Sequence, residues 1–131
     1  ELILAYLERE IGFLGSRRDQ ELRERLDRLW QAVDSDLARP WTVEELAARA
    51  ALSRSHLTRL SLRFFKRSPM QMVAHLRMAR AQSLLTRTDL PVYQVAEMLG
   101  YANQFAFSVA FSRHVGCAPT AHRGAVGAGL R

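Results

Sequence analysis

The sequence predicts an all-α protein with two helix-turn-helix subdomains, joined by a long central helix and preceded by a short N-terminal helix. In the segment 42–65, apolar residues recur at helical spacing on both sides of a central break. The segment 91–116 repeats this pattern, and residues 69–86 between them form one unbroken helical pattern. With 131 residues and 48% hydrophobic content, the chain is long enough to bury a core.

The N-terminal part of the chain predicts two amphipathic helices separated by a polar hinge. The first covers residues 1–15, where four apolar side chains share one helical face: Leu4, Leu7, Ile11 and Leu14. Ser16–Asp19 forms the hinge, and the second helix then runs to about Leu37. Pro40 ends it, because proline disfavours helix in the residue before it. The segment 1–15 is either a plain packing helix, a self-association helix or the last helix of a preceding domain.

The segment 42–65 carries the sequence signals of a helix-turn-helix. Thr42, followed three residues later by Glu45, is a capping box that starts the first helix. Ser53 caps the second helix, and one face of that helix is apolar, with Leu57, Leu60 and Phe64. Another face is polar and cationic near the helix N-terminus, where the helix dipole favours phosphate; it contains Arg54, Ser55, Thr58 and Arg59.

This combination of arginine and hydroxyl side chains is typical of a helix that reads DNA, although a solvated arginine face on a structural helix is the open alternative. Arg pairs bidentately with guanine in the major groove, and Ser or Thr bonds to bases or phosphates. Residues 1–37 hold six Arg against nine acidic residues, whereas residues 38–131 hold thirteen Lys or Arg against four acidic residues. The basic part contains both helix-turn-helix segments, so double-stranded DNA is the predicted partner.

The segment 91–116 is a weaker copy of the first unit. Its turn, Gly100–Ala102, is one residue longer than the first turn, and Asn103 caps its second helix where Ser53 caps the equivalent helix. Gly116 ends that helix. The repeat therefore predicts a second helix-turn-helix in the same polypeptide.

Two recognition helices, at 53–65 and 103–115, follow from this repeat. Held by the central helix, they are predicted to enter successive major grooves about 34 Å apart. The tail at 124–131 has no core-forming pattern and is predicted to be flexible.

The residue pattern indicates no enzyme, no metal site, no cofactor and no membrane span. The lone Cys117 allows no disulfide within the chain, which favours a cytoplasmic protein. Ser53 and His56 lack the orienting acid and oxyanion donors that a nucleophile and its base require. No apolar run is long enough to cross a bilayer. The four histidines match no metal-ligand spacing: His56, His75, His114 and His122.

Six motifs follow one another between Asp19 and Arg123: WTVEELA at 41–47, SRSHLTRL at 53–60, SPMQ at 68–71, LRMARAQSLL at 76–85, VAEMLGYANQFAF at 95–107 and GCAPTAHR at 116–123. In this order the chain resembles the DNA-binding domain of the AraC/XylS family of bacterial transcription regulators. The resemblance implies a seven-helix domain of two units over residues 19–123. Residues 1–15 would be a linker helix or the end of an N-terminal effector or dimerisation domain. Further candidate partners are then a second copy and a small-molecule effector, both bound through that domain, and RNA polymerase.

The resemblance also implies which side chains meet DNA. On the two recognition helices, base contacts fall at Arg54, Ser55, Thr58 and Arg59 and at Gln104, Phe105, Ala106 and Val109. Phosphate contacts are expected from Ser53, Arg63 and Arg67 in the first unit and from Asn103, Ser108 and Arg113 in the second.

Three positions depart from the family pattern. Ser61 stands where an aromatic residue is usual and Lys66 where a helix-ending glycine is usual, so the first unit is expected to pack or end differently. Val109 stands where an arginine is common. The second recognition helix therefore either reads thymine methyl groups by apolar contact or mainly holds phosphates, and the first is expected to carry most of the sequence specificity.

Two other functions compete with a sequence-specific regulator of transcription. An architectural or accessory protein would bind DNA with little sequence preference, as the apolar second recognition helix suggests. A protein-interaction module would instead act through the acidic N-terminal third of the chain.

Overall fold

The computed structural model describes the backbone of residues 2–129 and the side chains of residues 15–125. Within those limits all regular secondary structure is helical, as predicted, and no strand occurs. Its helices are α1 Leu2–Asp34, α2 Val43–Arg49, α3 Arg54–Phe65, α4 Pro69–Arg87, α5 Val92–Met98, α6 Gln104–Val115 and α7 Pro119–Gly129.

The predicted hinge at Ser16–Asp19 is wrong, because α1 runs through it as one helix of 33 residues. The hinge contains no proline, and the single Gly15 beside it costs only about 1 kcal/mol. Arg17 also pairs with Glu21 one turn later, at 3.5 Å. Helix α1 ends at Asp34, slightly before the predicted end. The apolar face predicted within residues 1–14 lies outside the residues whose side chains are described.

The two helix-turn-helix units have the same design, as the repeat predicts. Each joins a helix of 7 residues to a helix of 12 residues. Ser53 Oγ accepts the His56 N–H at 3.1 Å, and Asn103 Oδ1 accepts the Ala106 N–H at 2.7 Å, so both predicted caps are confirmed. The second turn is one residue longer than the first, also as predicted.

Only half of the predicted capping box at Thr42 forms. Thr42 Oγ1 accepts the Glu45 N–H at 3.1 Å. The Glu45 carboxylate does not return to the cap, because it forms an ion pair with Arg39. Helix α2 therefore starts at the predicted place with one side-chain cap.

The two long recognition helices end in the same way despite different residues. Gly116 ends α6 with a φ of 98°, and Lys66 ends α3 with a φ of 61°, both left-handed. The absence of glycine at Lys66 thus leaves the ending of α3 unchanged. Packing does differ at Ser61, which is fully buried and donates its hydroxyl proton to the Arg67 carbonyl at 2.7 Å.

Helix α4 joins the two units through a shared core. It packs against all six other helices of the described chain. Its buried residues lie on several sides of the helix: Met72, Val73, Met78, Ala81 and Leu85. They belong to one apolar cluster that also contains Leu57 of α3 and Phe107 of α6. The recognition helices therefore share one packed interior.

Polar contacts also tie the second unit to the connection between α1 and α2. Arg77 of α4 donates to the Leu37 carbonyl at 3.0 Å and to the Arg39 carbonyl at 2.9 Å. Its guanidinium lies 5.9 Å from the ring centroid of Tyr101, in the second turn. Burial lowers the pKa of Arg77, and the nearby Tyr101 partly offsets this. One side chain of α4 thus contacts both the second turn and the connection that leads into the first unit.

The predicted loose tail is helical as far as Gly129. Pro119 starts α7, and Arg123 anchors it to α4 and the following loop. Arg123 donates to the Leu85 carbonyl at 2.9 Å and to the Leu90 carbonyl at 2.6 Å. The helix continues to Gly129 although three of the residues 124–129 are glycine, which is a weak helix former.

Candidate nucleic-acid interface

The outward face of α3 contains the four predicted base-reading residues of the first unit. Arg54, Ser55 and Arg59 are exposed, and Thr58 is half-buried. Leu57 is fully buried on the opposite face. Helical periodicity separates the two faces, since residues three or four apart share one side of a helix.

Within this face, the side chains differ in how free they are to meet DNA. Arg54 Nη1 lies 2.8 Å from Glu44 Oε1 of α2, in an exposed ion pair. Thr58 donates its hydroxyl proton to the Arg54 carbonyl at 2.9 Å, which leaves only its lone pairs to accept. Arg59 has no ion-pair partner among the described residues. It is therefore the side chain of α3 best placed for a bidentate contact to guanine.

The predicted phosphate contacts of the first unit are partly engaged within the protein. Two nitrogens of Arg63 pair with the two carboxylate oxygens of Asp19 in α1, and the distance from Nη1 to Oδ1 is 3.3 Å. Arg67 is half-buried beside His114, in a cavity of about 280 Å³ between α4 and α6. Ser53 uses its oxygen for the α3 cap. Exposed, unpaired cations are thus fewer here than the sequence suggests.

The outward face of α6 is apolar where that of α3 is cationic. The repeat places Gln104, Phe105 and Val109 at the positions of Arg54, Ser55 and Arg59. Phe105 is 78% exposed and Val109 is 40% exposed. The two faces consequently offer different chemistry to a bound partner.

The remaining predicted residues of α6 surround this apolar face. Ala106 and Ser108 are half-buried. Asn103 is exposed, and its oxygen caps the helix. Arg113 is exposed, and no ion pair involves it within residues 15–125.

Sequence reasoning missed two exposed features beside the recognition helices. Tyr93 of α5, 60% exposed, occupies the repeat position of Glu44, and the alignment of α2 with α5 would have found it. A cavity of about 440 Å³ lies between α1 and the first turn, lined by Arg25, Arg28 and Arg49. Since these arginines lie on α1 and α2, positive charge extends beyond the recognition helices.

Two histidines meet where α4 packs on α6. The ring centroids of His75 and His114 lie 5.6 Å apart. The pKa of His75 is lowered by burial first, then by the positive charge of Arg67, then by His114. In the described part of the chain, no cluster of three His, Cys, Asp or Glu side chains is suited to a metal ion. No described helix is long and apolar enough to span a membrane.

Paired exposed recognition helices on a common core define a DNA-binding protein of the double helix-turn-helix class. A family profile described as a helix-turn-helix domain matches residues 46–125. The chain belongs to this family, in its AraC-type branch of transcription regulators.

Named relatives and solved structures agree with this assignment. The chain is 37% identical over 83 residues to the RCS-specific transcriptional activator RclR of Escherichia coli K12, covering 63% of this chain and 29% of RclR. It is 33% identical over 92 residues to the regulator AlkR of Acinetobacter baylyi, covering 70% of this chain and 30% of AlkR. The chain thus spans about a third of the length of these relatives.

Two solved domains have the same fold. The C-terminal domain of AraT, a response regulator from Geobacillus stearothermophilus, superimposes with a TM-score of 0.72 at 28% identity, covering 77% of this chain and 84% of that domain. The DNA-binding domain of AdpA, solved in complex with a target DNA, gives a TM-score of 0.71 at 32% identity, covering 76% and 90%.

Proposed function

We propose that this chain is the DNA-binding part of a bacterial, sequence-specific transcription regulator that places α3 and α6 in adjacent major grooves. The observation that carries the proposal is the shared core on α4, around which both recognition helices pack with their polar or exposed faces outward. The AdpA domain, which has the same fold, was solved with a target DNA, and this supports the proposal.

Helix α3 supplies most of the sequence information. Arg59 is the principal reader, because its guanidinium is exposed and has no carboxylate partner in the described chain. Arg54 reads a second base from a position set by Glu44. Ser55 donates or accepts at a flanking base or phosphate, whereas Thr58, whose proton is engaged by the Arg54 carbonyl, accepts from a base.

Phosphate contacts position the two helices on the duplex. Asn103, Ser108 and Arg113 serve α6. Ser53, Arg63 and Arg67 serve α3, and Arg63 exchanges Asp19 for a phosphate oxygen when it binds. Every phosphate contact by a cation releases counterions, so binding weakens steeply with added salt.

Further partners belong to the whole regulator. We propose that a second copy, a small-molecule effector and RNA polymerase act through surfaces other than the outward faces of α3 and α6. The chain covers only about 29–30% of RclR and AlkR, so most of the length of such proteins lies outside the aligned region.

The test is selection from a randomised duplex library, followed by binding measured by fluorescence anisotropy. We expect an enriched motif that spans two adjacent major grooves, with a few bases relaxed in the Arg59→Ala variant. Arg18→Ala, which removes an exposed charge from α1, is the matched control and should keep the wild-type motif. Enrichment of no motif, with affinity that follows salt alone, would contradict the proposal and favour the architectural function.

A further inference from the structure

Helix α6 contains three phenylalanines, and only two of them pack into the core. Phe107 and Phe111 are both fully buried and supply its contacts to the interior. Phe105 is 78% exposed, and Val109, one turn later on the same side, is 40% exposed. Because these two apolar side chains are exposed to water, contact with an apolar partner surface lowers their free energy.

The internal repeat indicates which way this pair faces. Both recognition helices have 12 residues and begin with a side-chain cap that accepts the N–H three residues later. Counting from these caps, Phe105 corresponds to Ser55 and Val109 to Arg59. If α3 presents Ser55 and Arg59 to a major groove, α6 presents Phe105 and Val109 to the next one.

The major groove contains one prominent apolar group, the C5-methyl of thymine. We propose that Phe105 and Val109 form a thymine-methyl reading patch, so that the half-site under α6 is selected by methyl contacts and the half-site under α3 by hydrogen bonds. This inference rests on the proposed function and specifies which base the second half-site contains.

The neighbouring polar residue suits the same base pair. Gln104 is exposed beside Phe105, and glutamine pairs bidentately with the N6 and N7 atoms of adenine. Tyr93 occupies the position of Glu44, whose carboxylate reaches Arg54, the counterpart of Gln104. Tyr93 is 60% exposed, so an aromatic ring stands in the second unit where the first unit has a carboxylate. The patch therefore favours A·T pairs in which both bases are recognised.

Replacing thymine by deoxyuridine tests the inference, because it removes only the methyl group and keeps every hydrogen-bonding group. In the selected duplex, the bases relaxed by Arg59→Ala identify the half-site of α3, and the other half-site belongs to α6. Each deoxyuridine under α6 should weaken binding about fourfold, as expected for burial of one methyl group. The same replacement should have no measurable effect on the Phe105→Ala or Val109→Ala variants.

Met98→Ala is the matched control. Met98 is an apolar side chain of the same unit and is 47% exposed, but it lines a cavity with Asp34 and Arg80 and does not belong to the patch of Phe105 and Val109. It should retain the full deoxyuridine effect. Circular dichroism should show all variants folded, since the substituted side chains are exposed.

Three outcomes would overturn the inference. Sequence-specific binding that is indifferent to deoxyuridine under α6 would contradict methyl reading while leaving the proposed function intact. A deoxyuridine effect that persists in Phe105→Ala or in Val109→Ala would contradict the assignment of that residue to the patch. Absence of sequence-specific binding by the wild-type chain would refute the proposed function together with the inference.

Discussion

Replacing Gly100 by alanine should destabilise the protein by more than the strain of a left-handed backbone conformation alone. Gly100 lies in the second turn with a φ of 84°, which side chains rarely adopt. A Cβ atom there would lie 2.7 Å from the Ala38 carbonyl oxygen and 3.1 Å from two further Ala38 backbone atoms. These are backbone atoms, so no side chain can rotate away to relieve the clash.

The magnitude follows from two separate costs. The left-handed conformation costs a residue with a Cβ about 1–2 kcal/mol. Overpacking of this kind costs about 1–3 kcal/mol more. Together they remove about 2–5 kcal/mol from a free energy of unfolding that is typically about 5–15 kcal/mol. At a urea slope of about 1–3 kcal/mol/M, the unfolding midpoint should fall by on the order of 1 M.

Gly116→Ala is the matched control for strain without a clash. Gly116 has a φ of 98°, and a Cβ added there would meet no atom within 4 Å apart from those of its chain neighbours. This variant should lose only the stability that left-handed strain costs, about 1–2 kcal/mol. Urea unfolding followed by circular dichroism compares the two variants directly. Equal destabilisation by Gly100→Ala and Gly116→Ala would refute the close approach of the second turn to Ala38.

Three further expectations concern single side chains. Lys66→Gly should stabilise the protein by about 0.5–1 kcal/mol in urea unfolding, because glycine adopts the left-handed end of α3 without strain; no gain would contradict that conformation. Burial and Arg67 lower the pKa of His75, so as the pH falls the unfolded chain takes up a proton at His75 before the folded chain does. Stability should fall as pH drops below about 6.5, less so in His75→Gln, and equal urea midpoint shifts would contradict this. Glu44→Gln releases Arg54; binding should tighten and the base preference opposite Arg54 should relax, whereas unchanged selection would show that Glu44 does not orient it.

The sequence predictions were accurate where the structure depends on contacts between residues close together in the chain. The starts of α3 and α6 were predictable because Ser53 and Asn103 each cap a backbone N–H only three residues away. The hinge at Ser16–Asp19 was wrongly predicted because polar composition was taken as a break in a segment without a helix-breaking proline. Polarity alone does not end a helix whose exposed side chains form pairs along its surface.

The sequence by itself determined the two units, the caps, the outward faces of α3 and α6 and the apolar character of the second face. These follow from helical periodicity and contacts between near neighbours. Only the tertiary structure decided which arginines form ion pairs with carboxylates of the same chain. Asp19 meets Arg63 across 44 positions of the chain, and Glu44 meets Arg54 across 10. It also decided that Gly100 touches Ala38. Such contacts depend on how the helices cross around α4, and crossing geometry is set by packing of the whole core, which no local pattern encodes.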